Sequence, residues 1–177
     1  MKKIVILWLI LIPFNAVNGN YKANKTALKE SDTNIPIKVF NAIRAAYKCN
    51  ISDFELNKSI NKIYSQKDVP KWLFICIAIN ESRFNPIIKN KKSSALGFFQ
   101  WTKATAAYYK MNYDSLIFPE YAIKAQLKIF KKGRKIYDSD YKTVAHYRSA
   151  SKGRLLTDSI NDKYYQKLLK IKEKLKL

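Results

Sequence analysis

Apolar residues recur at helical spacing along most of the chain. After Pro36, the residues Val39, Phe40, Ile43 and Tyr47 fall on one face, and Leu56, Ile60, Ile63 and Tyr64 repeat the pattern in the next segment. Residues 72–79, WLFICIAI, are apolar on every side, as in a helix buried all round. Asp68 suits a cap and Pro70 suits a first turn, so this helix is predicted from about Val69 to Ser82. Asn85-Pro86 then forces a turn, because proline disfavours a helical residue before it. A short helix is predicted near Thr102, and a longer one from Pro119 to Ile136 with Ile123, Leu127 and Phe130 inward. Another short helix covers Tyr141 to Ala150. The last starts near Ser159 and carries Ile160, Tyr164, Leu168, Ile171 and Leu175 on one stripe. No segment alternates as a half-buried strand does, none repeats, and no Gly/Ser/Pro-rich linker divides the chain. The expectation is one all-α domain over residues 35–177, behind a polar, flexible lead at residues 20–34.

The first residues change where this domain is expected to work. Lys2 and Lys3 precede an apolar run from Ile4 to Phe14, and Val17 and Gly19 are small enough for a cleavage site, so residues 1–19 read as a secretory signal peptide. The run is short for a membrane span, which leaves an uncleaved anchor as the other reading. Export implies a periplasmic or secreted protein. The formal charge of +21 becomes +19 once Lys2 and Lys3 are removed. Such a charge favours anionic cell-wall or membrane surfaces as partners. Nucleic acid is disfavoured by export and by lysines spread over the helices without a recognition motif. An oxidising compartment permits a disulfide between Cys49 and Cys76, which would add about 3–4 kcal/mol in the chain-entropy model; two buried free thiols are the alternative. One histidine and no cysteine cluster argue against a metal site, and nothing calls for a cofactor.

Candidate chemistry centres on Glu81. A carboxylate closing an apolar helix is expected to be partly desolvated, which disfavours its charged form and suits a general acid that protonates a leaving oxygen. It also sits where the helix dipole prefers a cation, an unfavourable placement for a merely structural glutamate. Glycine is scarce, with four in the chain, so Gly97 within SALGFFQW marks a close backbone approach or a positive φ. It brings Phe98, Phe99 and Gln100 beside whatever this loop faces, and aromatic faces with an amide suit sugar rings. A core turn with two packed phenylalanines is equally compatible with these residues.

ESRFNP at 81–86, SALGFFQ at 94–100, Thr105-Ala106 and HYRSA at 146–150 together resemble the lytic transglycosylases of the soluble-lytic-transglycosylase (SLT) type. The blocks come in the family's order and near its spacing, over about residues 65–172. The resemblance implies a lysozyme-like fold of the goose-type lysozyme kind. It implies Glu81 as the catalytic acid/base, and Ser82, Gly97, Phe99, Gln100 and Tyr147 as substrate-binding positions, with the Tyr147 phenol approaching the catalytic carboxylate. Asn90 or Ser93 would substitute for a loop serine that has no clear counterpart. Phe99 stands where methionine is usual, Arg148 where asparagine is usual, and Ala150 where glycine is usual.

The reaction implied is cleavage of the β-1,4 bond between N-acetylmuramic acid and N-acetylglucosamine in peptidoglycan, leaving a 1,6-anhydro end. It needs no second carboxylate, because the substrate's own acetamido group meets the positive charge at C1. Of the 13 acidic residues, Asp114 and Glu120 are the nearest downstream. A hydrolytic muramidase would use the same Glu81 with a positioned water. A non-catalytic cationic wall-binding protein is the reading that Arg148 warns of. His146 is a weak candidate base. The expected settings are wall turnover, attack on rivals, or partnership with secretion or conjugation machinery.

Overall fold

The computed structural model describes residues 30–67, 69–137, 139–152 and 158–177. The expected signal peptide and the expected Asp68 cap lie outside these residues. Seven α-helices appear among them: α1 (Glu30–Ala46), α2 (Asp53–Tyr64), α3 (Lys71–Ser82), α4 (Lys103–Tyr108), α5 (Pro119–Ile136), α6 (Asp140–Lys152) and α7 (Asp158–Leu175), with a 3-10 turn at Asp114–Ile117 before α5. Two isolated β-bridges are the only extended pairing among the described residues, so the domain is all-α as expected.

α3 is the axis of the molecule. Its residues Leu73 to Ala78 are fully buried, and it packs against α2 and α7. Each Leu, Ile or Phe side chain so removed from water contributes about 1.5–3 kcal/mol, which is why a helix apolar on all sides belongs here. Phe74 lies 4.8 Å from Phe130 of α5 and 6.0 Å from Phe99, ring centroid to centroid. α2, α5, α6 and α7 complete the shell, α5 packing on both α2 and α6. Local signals agree with this packing. The Ser52 side chain accepts from the Glu55 amide to cap α2, and Pro119 opens α5 at a first-turn position.

Several boundaries differ from expectation. α1 begins at Glu30, five residues inside the stretch read as a flexible lead; polar composition removes a buried face, but it does not stop a helix nucleated by buried Val39 and Ile43 from propagating. α3 starts two residues late, with Pro70 rather than Asp68 in the cap position and no side-chain cap. In α7, Ile160 is exposed and Asn161 takes the inward place on the face of Tyr164, Leu168 and Leu175.

The disulfide is not formed: Cys49 and Cys76 are both free and both buried. Each lies in the apolar core, where a thiol behaves as a small hydrophobe. Burial pushes the Cys76 thiol up to about 12, against a weaker pull from Lys172. Cys49 is raised too, burial outweighing Arg44 and Arg83. Neither is a thiolate near neutral pH. The thermal midpoint is therefore expected to be the same with and without a thiol reductant, whereas a disulfide worth about 3–4 kcal/mol would show as a drop of several degrees.

Candidate active site

The site is built at the end of α3. Glu81 occupies its last turn and is half-buried. The helix then stops on two successive non-glycine residues in the left-handed region, Arg83 at φ 51° and Phe84 at φ 56°. Such residues cost about 1–3 kcal/mol each and persist only where the surroundings over-determine them. Here the Arg83 amide donates to the Ile79 carbonyl at 3.0 Å and the Phe84 amide to Ala78 at 3.3 Å. The Phe84 ring is fully buried, edge-on to Phe98 at 5.3 Å. The turn reverses the chain immediately beyond the carboxylate and leaves the Arg83 side chain exposed beside it.

The returning loop is closed on itself by backbone pairing. Leu96 bridges to Lys89 and to Trp101, and the Gly97 amide donates to the Ile88 carbonyl at 3.0 Å. Gly97 meets both sequence expectations: φ is +74°, and a Cβ would lie 2.5 Å from the Leu116 carbonyl oxygen. Ser82 borders the cleft, but its hydroxyl is engaged with the backbone. Its buried hydroxyl lies 3.0 Å from the Ala78 carbonyl and 2.9 Å from that of Phe98, pinning loop to helix. Phe98 and Phe99 are also not a sugar platform, because both rings are buried in the core. Gln100 donates from Nε2 to the Ile88 and Gly97 carbonyls at 3.2 and 3.0 Å, bracing the loop instead of reaching out of it. Asn90 is exposed, and its Oδ1 accepts from the Lys92 amide at 2.8 Å.

The partner of the carboxylate is Tyr164 of α7, whose hydroxyl donates to Glu81 Oε1 at 2.6 Å. Burial first, then Tyr147 and Glu81, hold this phenol well above its ordinary value of 10.0, so it remains a donor at any physiological pH. The Arg148 guanidinium lies over the Tyr164 ring, 4.1 Å from its centroid. Sequence reasoning assigned the contact with Glu81 to Tyr147. Tyr147 stands behind it and still approaches the carboxylate: its ring centroid is 6.5 Å from that of Tyr164, its hydroxyl donates to the Phe99 carbonyl at 2.9 Å, it is hydrogen-bonded to Tyr164, and burial and then Glu81 raise its pKa. Tyr147→Phe is accordingly expected to lower stability by about 1–3 kcal/mol, by leaving a buried carbonyl unsatisfied. Chemical denaturation should show this as an earlier midpoint.

Glu81 opens into a cleft of about 410 Å³ lined by Lys48, Asn50, Asn80, Glu81, Ser82, Arg83, Asn85 and Ile88. Among these described residues Glu81 is the one carboxylate. Glu120 is engaged elsewhere, 3.1 Å from Lys58. His146 belongs to a different neighbourhood, with Nε2 3.3 Å from the Tyr109 hydroxyl and its ring against Tyr137. Burial and then Lys132 lower its pKa below 6.5, so it is a packed neutral imidazole near pH 7. Lys48, Asn50, Asn80, Arg83 and Asn85 were not foreseen as site residues. The adjacency of Asn80, Arg83 and Asn85 to Glu81 was a signal for three of them; the α1–α2 connection carried none. The geometry offers one half-buried carboxylate with one oxygen held and the other available, in a cleft of amides and cations. That arrangement can pass a proton to a polar substrate and take it back.

The family described as Transglycosylase SLT domain matches residues 58–165, a span that contains Glu81, the returning loop and Tyr164. No curated protein and no solved structure matches the chain.

Proposed function

The chain belongs to the SLT transglycosylase family, and from that premise we propose that Glu81 is the single acid/base of an exported enzyme that leaves 1,6-anhydromuramic ends. As a member of the family it is a peptidoglycan lytic transglycosylase, a lyase acting on glycosidic bonds. The observation that carries the proposal is the pairing of Glu81 Oε1 with Tyr164 in a cleft whose described lining holds no other carboxylate.

In the proposed sequence the free oxygen of Glu81 gives its proton to the bridging oxygen between N-acetylmuramic acid and N-acetylglucosamine, and the bond to C1 breaks. The acetamido carbonyl of the same sugar covers the positive charge at C1, taking the place of the second carboxylate that retaining glycosidases use. Glu81, now a carboxylate, takes the proton from the muramic C6 hydroxyl as that oxygen closes on C1. The enzyme returns to its starting state and no water is consumed. Tyr164 keeps Oε1 in place through both transfers. Export through residues 1–19 belongs to the same reading, since the substrate lies outside the cytoplasm.

Digestion of purified sacculi, followed by mass spectrometry of the released fragments, tests the reaction. Ends one water lighter than reducing muramic acid are expected. Reducing ends would make the protein a hydrolytic muramidase, and binding without release would make it a wall-binding protein.

A further inference from the structure

The cleft beside Glu81 carries two cations that the reaction does not use. Lys48 comes from the connection between α1 and α2, and Arg83 from the residue that caps α3. Among the described residues the ion pairs are Arg44–Asp53, Lys58–Glu120 and Arg134–Asp140, so neither Lys48 nor Arg83 is tied to Glu81 or to another carboxylate. Both project from backbone that is tied down by hydrogen bonds. Arg44 donates to the Cys49 and Ile51 carbonyls at 3.4 and 2.8 Å and pairs with Asp53 at 2.6 Å, fixing the segment from which Lys48 and Asn50 project. Arg83 sits at φ 51°, ψ 44°, a conformation that glycine or asparagine adopts at least cost. A long cationic side chain kept there, at the lining of the cleft, indicates a use for it. The rest of the lining, Asn50, Asn80 and Asn85, supplies amides suited to the uncharged hydroxyl and acetamido groups of sugars.

We infer that Lys48 and Arg83 form a carboxylate subsite, so that the enzyme selects glycan whose muramic acid bears a free carboxylate next to the bond being cut. This rests on the proposed function and specifies its substrate. Two sources supply such a group: the lactyl ether of muramic acid where the stem peptide has been removed, and the stem peptide itself where it is present. A cation can meet either with charge-assisted hydrogen bonds.

The test uses four glycan substrates: strands with stem peptides, strands stripped by an amidase, and each of these with its carboxylates converted to methylamides. Wild-type enzyme is expected to lose about tenfold in kcat/KM when the carboxylates are blocked, about the size of one hydrogen bond to a charged group. The double variant Lys48→Gln, Arg83→Gln should lose about the same on unblocked strands and little more on blocking, so that the two enzymes converge. The charge-keeping pair Lys48→Arg, Arg83→Lys should retain the wild-type preference. Blocking that matters on stripped strands identifies the lactyl carboxylate; blocking that matters only on peptide-bearing strands identifies the stem peptide. Equal wild-type rates on blocked and unblocked strands overturn the subsite and leave the lyase reading standing, and they do so even if a variant fails to fold. A neutral variant that falls equally on both kinds of strand overturns it as well. If wild-type enzyme cuts none of the four, the lyase reading falls and takes the subsite with it.

Discussion

Glu81→Gln is expected to leave the fold and binding to sacculi intact and to lower wall lysis by about 10²–10⁴-fold, the usual contribution of general acid/base catalysis. The two side chains have nearly the same shape, and the amide oxygen of glutamine can accept from Tyr164 as Oε1 does now at 2.6 Å. What is lost is the transferable proton. The described lining of the cleft has no other carboxylate to supply it: its remaining charged groups are Lys48 and Arg83. Clearing of a sacculus suspension gives the rate, a pull-down gives binding, and a melting curve checks the fold. Lysis within a few-fold of wild type would remove Glu81 from its role.

What could be read from the sequence and what could not divide along physical lines. The bounds of α5 were legible to the residue, because Pro119 opens it, and Ile123 and Phe130 face inward as expected, whereas Leu127, also expected inward, is only half-buried. α3 was legible because a run apolar on all sides fits only the middle of a bundle, and the carboxylate at its end stood out against it. Gly97 was legible because the need for a positive φ is written in the residue itself. Side-chain direction was not. An aromatic pair after a glycine reads alike whether its rings face sugar or core, and here Phe98 and Phe99 face the core. The apolar stripe of α7 concealed Tyr164 in the same way, since a phenol on a buried face counts as packing until its hydroxyl is seen to reach Glu81 from 83 residues along the chain. Lys48 was one of 34 basic residues and acquired meaning only when the α1–α2 connection was brought against the end of α3.

Tyr164→Phe separates positioning from packing. The ring stays, and with it the guanidinium of Arg148 at 4.1 Å and the contact with Tyr147. Only the hydroxyl that holds Glu81 Oε1 is removed. That oxygen belongs to a half-buried side chain at the cleft, so water can replace the lost donor and the melting midpoint should move little. The carboxylate, however, becomes free to rotate away from the bridging oxygen of the substrate. Misplacement of a reacting group by about 1 Å costs on the order of 10²-fold, and kcat is expected to fall by about that factor. KM and binding to sacculi should stay close to wild type, because the amides and cations of the cleft are untouched. A purely structural role for Tyr164 predicts the opposite signature, an earlier melting midpoint with kcat preserved in the fraction that remains folded. Tyr147→Phe serves as the internal comparison: its hydroxyl donates to the Phe99 carbonyl in the core and is hydrogen-bonded to Tyr164 without holding Glu81 itself, so that variant should lose stability first and rate to a smaller extent. If the two variants show the same pattern, the Glu81–Tyr164 bond has no special part in catalysis and the acid/base is positioned by the helix alone.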